Sequence, residues 1–215
     1  SSKILVMLPD EISLNIFNQK YKEILKKIPK KNIKHEDDKL ITEFIVIFTS
    51  GTTGKPKAVI HSLESISKKI SVRKNKYIWG LTYDPFRMAG LQVILSAITN
   101  GDKLVSVNNK NIKSSLIFFL QNKVNAISAT PSYFKLLLPS DTFKNLSLEQ
   151  ITLGGEIVGQ KELDELKSIF PNSKLTHIYA STEIGAAFSV QDGQAGFPSS
   201  YLENKEVFNG NILIK

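Results

Sequence analysis

Residues 48–59 read FTSGTTGKPKAV, and this stretch directs the interpretation of the whole chain. It places four hydroxyl groups, two glycines and two lysines directly after an apolar run, residues 44–48, that predicts a buried strand. Hydroxyl and backbone N–H groups in a flexible turn can surround a phosphate, and lysines can neutralise its charge. A Gly-Thr-Thr-Gly turn alone would favour a surface turn with solvated lysines, but the full run favours a polyphosphate-binding loop.

The loop differs from a Walker A motif at two positions. That motif needs a glycine five residues before the Gly-Lys pair and a Ser or Thr directly after the lysine. Thr49 and Pro56 stand at these positions. Because Pro56 prevents an immediate helix and residues 57–61 are rich in strand formers, we predict that the loop joins two strands. Its own hydroxyls, N–H groups and lysines would then hold the phosphates, without a helix dipole behind them.

The composition excludes several classes of protein. The chain has 215 residues, of which 41% are hydrophobic, so it can form one good-sized domain core. It contains no Cys, which excludes disulfides, thiolate metal sites and a cysteine nucleophile. No apolar run reaches the roughly 18 residues of a membrane span and no signal peptide is visible, so we expect a cytoplasmic protein without a membrane span. The lysines behind the net charge of +8 are scattered, which favours a solvated surface over a nucleic-acid-binding patch.

Strand and helix patterns alternate along most of the chain. We predict strands at residues 4–8, 44–48, 77–81, 103–107, 126–128, 151–153 and 174–179. We predict helices at residues 12–27, 62–74, 89–99, 112–122, 131–138 and 160–170, and a polar linker or exposed loop at residues 30–39. The repeated strand–helix–strand order predicts a single α/β domain over residues 1–215, with a largely parallel sheet flanked by helices.

Three polar motifs follow predicted strands. They are residues 49–57, which we name the phosphate loop, Gly154-Gly155-Glu156, and residues 179–183. In an α/β sheet, ligands bind beyond the carboxyl ends of the strands. We therefore predict that the binding site lies where these motifs meet.

In this order, the three motifs together with Thr130-Pro131-Ser132 resemble those of the adenylate-forming (AMP-binding) superfamily. That superfamily includes acyl-CoA synthetases, luciferases and the adenylation domains of peptide synthetases. The resemblance covers residues 44–215 and implies the core of the large N-terminal domain of such an enzyme. Residues 87–95, RMAGLQVIL, further resemble a segment of compact acyl-CoA ligases of the o-succinylbenzoate type, which have His where this chain has Arg87.

The resemblance assigns roles to the motif residues. The β- and γ-phosphates of ATP would be bound by Thr49, Ser50, Gly51, Thr52, Thr53, Gly54, Lys55 and Lys57. The adenine site would be formed by Gly154, Gly155 and Glu156 through backbone groups, by Tyr179 against the ring, and by Ala180 and Ser181. The catalytic residues would be Lys57, Thr182 and Glu183, of which Thr182 contacts the α-phosphate and Glu183 binds Mg²⁺.

The segment around Arg87 forms a wall of the substrate site in this family, so Arg87 and Gly90 are candidates for contact with the substrate. Arg87 could pair with a substrate carboxylate or form a structural ion pair, and the sequence leaves both interpretations open. We expect His61 to be solvated or bonded to a loop. We expect His177 to be buried in the sheet.

The resemblance implies a ligase that converts a small carboxylic acid and MgATP into an acyl-adenylate and then a thioester. The acceptor would be the thiol of CoA or of a carrier protein, and the cofactors ATP and Mg²⁺. Relatives continue into a ribose-binding Asp, a hinge and a small C-terminal domain with a catalytic lysine. We therefore expect residues 1–215 to be an incomplete large domain without the small one. The alternative is a non-catalytic nucleotide-binding or scaffold module.

Overall fold

Two β-sheets with a helix between them organise the described part of the chain. The structure is a computed structural model that describes residues 3–7, 43–49, 57–68, 70–107, 111–182, 185–197, 206–208 and 211–213. The larger sheet has six strands in the order β5-β4-β6-β7-β8-β9, and the smaller has three in the order β1-β2-β3. A two-stranded hairpin, β10-β11, is separate from both.

The strands of the large sheet are mostly parallel, as predicted. They are β4 (Ile78–Leu81), β5 (Lys103–Ser106), β6 (Ala126–Ala129), β7 (Gln150–Gly154), β8 (Lys174–Ser181) and β9 (Gly185–Val190). Only the pairing of β8 with β9 is antiparallel within this sheet. The remaining strands are β1 (Lys3–Met7), β2 (Glu43–Thr49), β3 (Lys57–Ser62), β10 (Glu206–Phe208) and β11 (Asn211–Leu213). Because β2 and β3 pair antiparallel with Thr49 opposite Lys57, the prediction that the phosphate loop joins two strands is confirmed.

Six helices are present in the described residues. They are α1 (Leu63–Ser67), α2 (Met88–Asn100), α3 (Ile112–Gln121), α4 (Pro131–Leu137), α5 (Asp141–Lys144) and α6 (Gln160–Ile169). Local sequence signals explain several boundaries. Thr130 caps α4 by accepting the N–H of Tyr133, and Gly101 ends α2 in the left-handed conformation at φ +62°.

Successive side chains of each strand point to opposite faces of the large sheet, and the two faces pack against different helices. On one face, Ile151 and Leu153 of β7 pack with residues of α3 to α6 in the main hydrophobic core. On the other face, α2 packs against β4 through Val93 and Ala97. Met88 and Leu91 of α2 also contact β2. Helix α2 therefore lies between the two sheets and fixes strand β2, which leads into the phosphate loop, relative to the large sheet.

One predicted helix is much shorter than expected. We predicted a helix over residues 62–74, but α1 ends at Ser67. Beyond it, the backbone N–H of Arg73 donates to Oδ1 of the buried Asn100 at 2.8 Å, and Asn100 Nδ2 donates to the Ser71 carbonyl at 3.2 Å. These contacts with the end of α2 hold the segment in a non-helical path. The predicted helix at residues 12–27 and the loop at residues 30–39 lie outside the described residues.

Candidate functional site

The parallel strands β6, β7 and β8 end at one edge of the large sheet, and described residues of the second and third motifs and of Thr130-Pro131-Ser132 lie there. Thr130 follows β6, Gly155 and Glu156 follow β7, and Thr182 follows β8. In the register of β7 and β8, Gly154 lies opposite Ile178, so the second and third motifs are neighbours. The Ser50, Gly51, Thr52, Thr53, Gly54, Lys55 and Glu183 predictions lie outside the described residues.

A side-chain contact connects the antiparallel pair of β2 and β3 to this edge. His61 of β3 donates its Nε2 hydrogen to the Thr182 carbonyl at 2.7 Å, because a carbonyl oxygen can only accept. The expectation that His61 is bonded to a loop is therefore confirmed. The contact joins strand β3, which begins with the exposed Lys57, to the turn that carries Thr182.

Glu156 fastens the Gly-Gly-Glu turn to the start of α4. Its Oε2 accepts from the backbone N–H of Ser132 at 3.0 Å and from the Ser132 hydroxyl at 2.5 Å. These hydrogen bonds lower the pKa of Glu156 below its ordinary value, so the carboxylate stays ionised. The carboxylate is therefore hydrogen-bonded within the protein. The contact of the Glu156 backbone with adenine stays a prediction.

The backbone of the same turn is set by Gly155 and Tyr83. Gly155 has φ +83°, a conformation that favours glycine. The Tyr83 hydroxyl donates to the Gly154 carbonyl at 3.0 Å. Burial raises the pKa of Tyr83, so this hydroxyl keeps its proton for the hydrogen bond. Sequence reasoning did not identify Tyr83.

Tyr179 belongs to an aromatic cluster. Its ring stacks on Phe188 with centroids 4.7 Å apart, and Phe197 and His177 approach it edge-on at 5.3 and 5.5 Å. Phe188 therefore covers one face of the Tyr179 ring. The contact of Tyr179 with adenine stays a prediction, as do those of its exposed neighbours Ala180 and Ser181.

Arg87 contacts protein groups on two sides. Its Nη1 donates to the Phe48 carbonyl at 3.4 Å, and its Nε lies 3.7 Å from Oδ2 of Asp84. The structural ion pair is thus present, and Arg87 also contacts the last residues before the phosphate loop. Pairing of Arg87 with a substrate carboxylate stays a prediction.

Gly90 is buried where α2 meets the turn before it. A methyl group at Gly90 would lie 2.1 Å from the Asp84 carbonyl oxygen. The absence of a side chain therefore has a packing explanation, because only glycine allows this close approach. Its contact with substrate remains a prediction.

A cavity of about 300 Å³ lies between α2 and the large sheet. Its outer end is bordered by Gly154, Gly155, Tyr83 and Ala180, at the edge where the motifs meet. Its inner end reaches Gln150 and Lys174 at the start of β7 and β8. Sequence reasoning missed these inner residues, although polar residues at alternate positions of a buried strand were a visible signal.

His177 is buried on the opposite face of β8, as expected. It is 4% exposed, and neither ring nitrogen has a hydrogen-bond partner among the described residues. Burial lowers the pKa of His177 below its ordinary value of 6.5, although the nearby Asp192 and the Gln194 backbone oppose this effect. The folded protein therefore holds His177 neutral at a pH where the unfolded chain already binds a proton.

This lowered pKa predicts a pH dependence of stability. The contribution of neutral His177 is fully present above about pH 6.5 and is lost as the pH falls toward the folded pKa, because the unfolded state then binds more protons. We expect the unfolding free energy of a His177→Phe variant to fall less steeply from about pH 7.5 to about pH 5.5. Urea unfolding at several pH values measures this, and equal pH slopes in both proteins would contradict the prediction.

Neither a cluster of metal ligands nor a membrane-spanning helix is found among the described residues. They contain no group of three or more His, Cys, Asp or Glu side chains placed to hold a metal ion. Within the same residues, no helix combines the length and apolar character required to cross a membrane.

Comparison with known proteins places this chain in a family. Residues 7–205 match the family model described as AMP-binding enzyme. The chain is 33% identical over 153 residues to the D-alanine–D-alanyl carrier protein ligase of Staphylococcus epidermidis, covering 66% of this chain and 32% of that protein. It is 27% identical over 153 residues to surfactin synthase subunit 1 of Bacillus subtilis, covering 64% of this chain and 4% of that protein. The chain thus spans a third or less of the length of these relatives.

Solved structures share the fold. The o-succinylbenzoate coenzyme A synthetase of Bacillus subtilis, solved in complex with AMP, superposes with a TM-score of 0.55 at 20% identity over 68% of this chain and 39% of that one. The N-terminal subdomain of NpsA from Klebsiella oxytoca gives a TM-score of 0.61 at 16% identity over 70% of this chain and 41% of that one. With the family match over residues 7–205, we conclude that the chain belongs to the AMP-binding enzymes of the adenylate-forming superfamily.

Proposed function

We propose that this chain is the nucleotide-binding part of a ligase that activates a carboxylic acid with MgATP and passes the acyl group to a thiol. The observation that carries the proposal is the cavity between α2 and the large sheet, whose outer end is bordered by Gly154, Gly155 and Ala180. An acid in this cavity would present its carboxylate at the edge that holds the nucleotide motifs.

In the first step, a carboxylate oxygen of the acid attacks the α-phosphorus of ATP. The new bond joins that oxygen to phosphorus, and the bond from the α-phosphorus to the bridging oxygen breaks, so pyrophosphate leaves. Negative charge develops on the α-phosphoryl oxygens and on the leaving group. Lys57 and the other phosphate-loop residues would neutralise the pyrophosphate, and Thr182 would bind the α-phosphate.

The chemistry of the proposed donor residues fits Mg²⁺. The carboxylate of Glu183 and the hydroxyls of Thr49 and Thr182 are hard oxygen donors, which Mg²⁺ prefers. Thr182 directly precedes Glu183 in the chain, and its carbonyl is bonded to His61 of β3. When bound, Mg²⁺ would neutralise phosphate charge; Glu183 would be its protein ligand.

In the second step, a thiol would replace AMP on the acyl carbon. The names of two relatives give the candidate acceptors: one is a carrier protein ligase and the other a coenzyme A synthetase. We propose CoA or a carrier-protein thiol as the acceptor for this chain.

The test is acid-dependent exchange of pyrophosphate into ATP by the intact protein, with a broad panel of carboxylic acids. We expect Thr53→Ala and Glu183→Ala each to lower the exchange rate by about 100-fold, because each removes a group that contacts transition-state charge. Thr99→Ala and Glu165→Ala are the matched controls on exposed positions of α2 and α6. A module that only binds nucleotide would bind MgATP but show no exchange with any acid, and that result would refute the proposal.

A further inference from the structure

Three hydroxyl side chains stand in one row across the floor of the cavity. Strand pairing places Ser128 of β6 beside Thr152 of β7, and Thr152 beside Thr176 of β8. All three residues are buried, with exposures of 6 to 7%, and all three line the cavity. The sheet floor of the cavity therefore has a polar belt at one fixed depth, and Gln92 and Ser96 of α2 are further polar residues of the lining.

Two hydroxyls of the belt, those of Thr152 and Thr176, are prepared to donate hydrogen bonds, whereas the Ser128 side chain is bonded to Tyr83. One row deeper, the Gln150 amide donates to the hydroxyl oxygens of Thr152 at 2.9 Å and of Thr176 at 3.3 Å. A hydroxyl has one hydrogen to donate and two lone pairs to accept. Because Gln150 occupies acceptor positions, the hydrogens of Thr152 and Thr176 remain available for an acceptor. A buried hydroxyl without such a partner is costly, so a ligand that brings an oxygen here gains over one that brings only carbon.

The depth of the belt sets a distance from the reacting group. Gly154 and Ile178 form the next row toward the carboxyl ends, two residues beyond Thr152 and Thr176. At about 3.3 Å per residue, the two rows are roughly 6.6 Å apart. An acid carboxylate held near Gly154 would thus lie about 7 Å from the polar belt. Ile178 in the row of Gly154 and Val93 of α2 give apolar surface to this end of the cavity, although α2 also contributes the polar Gln92.

On the basis of the proposed function, we infer that the substrate is a carboxylic acid with an oxygen acceptor about 7 Å from its reacting carboxyl carbon, beyond an apolar spacer. The acceptor is a hydroxyl, oxo or carboxylate oxygen. Lys174, in register with Gln150, lies one row deeper and lines the cavity, so a second carboxylate belongs to the same class. Plain hydrocarbon acids are excluded from the preferred substrates, because they leave the belt without an acceptor.

The test compares acids that share one skeleton. Phenylacetate is paired with 4-hydroxyphenylacetate, and hexanoate with 6-hydroxyhexanoate and adipate, in pyrophosphate exchange by the intact protein. We expect the oxygenated member to have a KM at least about tenfold below that of its parent. Comparison of adipate with 6-hydroxyhexanoate distinguishes a carboxylate from a hydroxyl acceptor.

Variants of the belt give a second measurement. Thr152→Val and Thr176→Val are expected to remove most of the preference, whereas Thr176→Ser keeps the hydroxyl and the preference. The comparison of oxygenated and hydrocarbon acids with the wild-type protein tests the inference even if a valine variant fails to fold. A hydrocarbon acid that is used as well as or better than its oxygenated partners would overturn the inference and leave the proposed function intact. Exchange with no acid of the broad panel would remove both.

Discussion

We expect Asp102→Ala to lower the unfolding free energy by about 3 kcal/mol, the largest stability loss that we predict for a single side chain. The Asp102 side chain is completely buried and forms an ion pair with Arg73. It also accepts from the indole N–H of Trp79 at 2.9 Å and from the backbone N–H of Tyr77 at 3.1 Å. Removal of the carboxylate leaves these three donors without their acceptor. The largest cost is that of Arg73, a mostly buried cation that loses its counter-charge.

The groups that remain around Arg73 limit this loss of unfolding free energy. Its side chain is 22% exposed, and its guanidinium lies 4.6 Å from the centroid of the Tyr77 ring, so water and the ring compensate part of the loss. Urea unfolding followed by circular dichroism measures the change. Asp141→Ala is the matched control, because Asp141 is 94% exposed and its contact with Lys144 is a surface ion pair. Equal losses in the two variants would show that the buried cluster does not stabilise the fold.

The fold could be predicted where its signals are local. The pair Asn100-Gly101 marked the end of α2, and Gly101 does adopt the left-handed conformation there. The prediction of a helix over residues 62–74 was wrong beyond Ser67, because the contacts that decide the structure there are not local. The second half of this segment is held by Asn100, nearly thirty residues away in the chain, and a pattern based on neighbouring residues cannot include that contact.

The candidate site shows the same division. The strand ends predicted that Gly155, Glu156 and Thr182 would lie at one edge, because parallel strands bring their carboxyl ends together. The partners of individual side chains were not predictable in this way. Glu156 is held by Ser132 because β6 and β7 are adjacent in the sheet, and Tyr83, which follows β4, reaches Gly154 because only β6 lies between β4 and β7. The polar belt likewise required the strand register, since a shift by one residue would turn Thr152 to the opposite face.

His61 is the position at which we expect the largest effect on activity outside the phosphate loop and Glu183. It is the side chain that ties β3 to the turn carrying Thr182, through the 2.7 Å hydrogen bond to the Thr182 carbonyl. In the proposed reaction, the phosphate loop holds the leaving pyrophosphate, while Thr182 and Glu183 act at the α-phosphate. The relative position of the two segments then determines how well the phosphates are aligned for attack.

We expect His61→Ala to lower the kcat of acid-dependent exchange by about 10- to 100-fold, because a displacement of about 1 Å in such an arrangement has effects of this size. The loss of one hydrogen bond should cost only about 1 kcal/mol of unfolding free energy, so the variant stays folded. His61→Gln is the informative partner variant, since its side-chain amide can donate to the same carbonyl and should restore part of kcat. Ser65→Ala, on the exposed side of α1, controls for changes in this region that do not reach Thr182. If His61→Ala changed only the KM for ATP, or if Gln restored nothing, the contact would not position the turn for the chemical step.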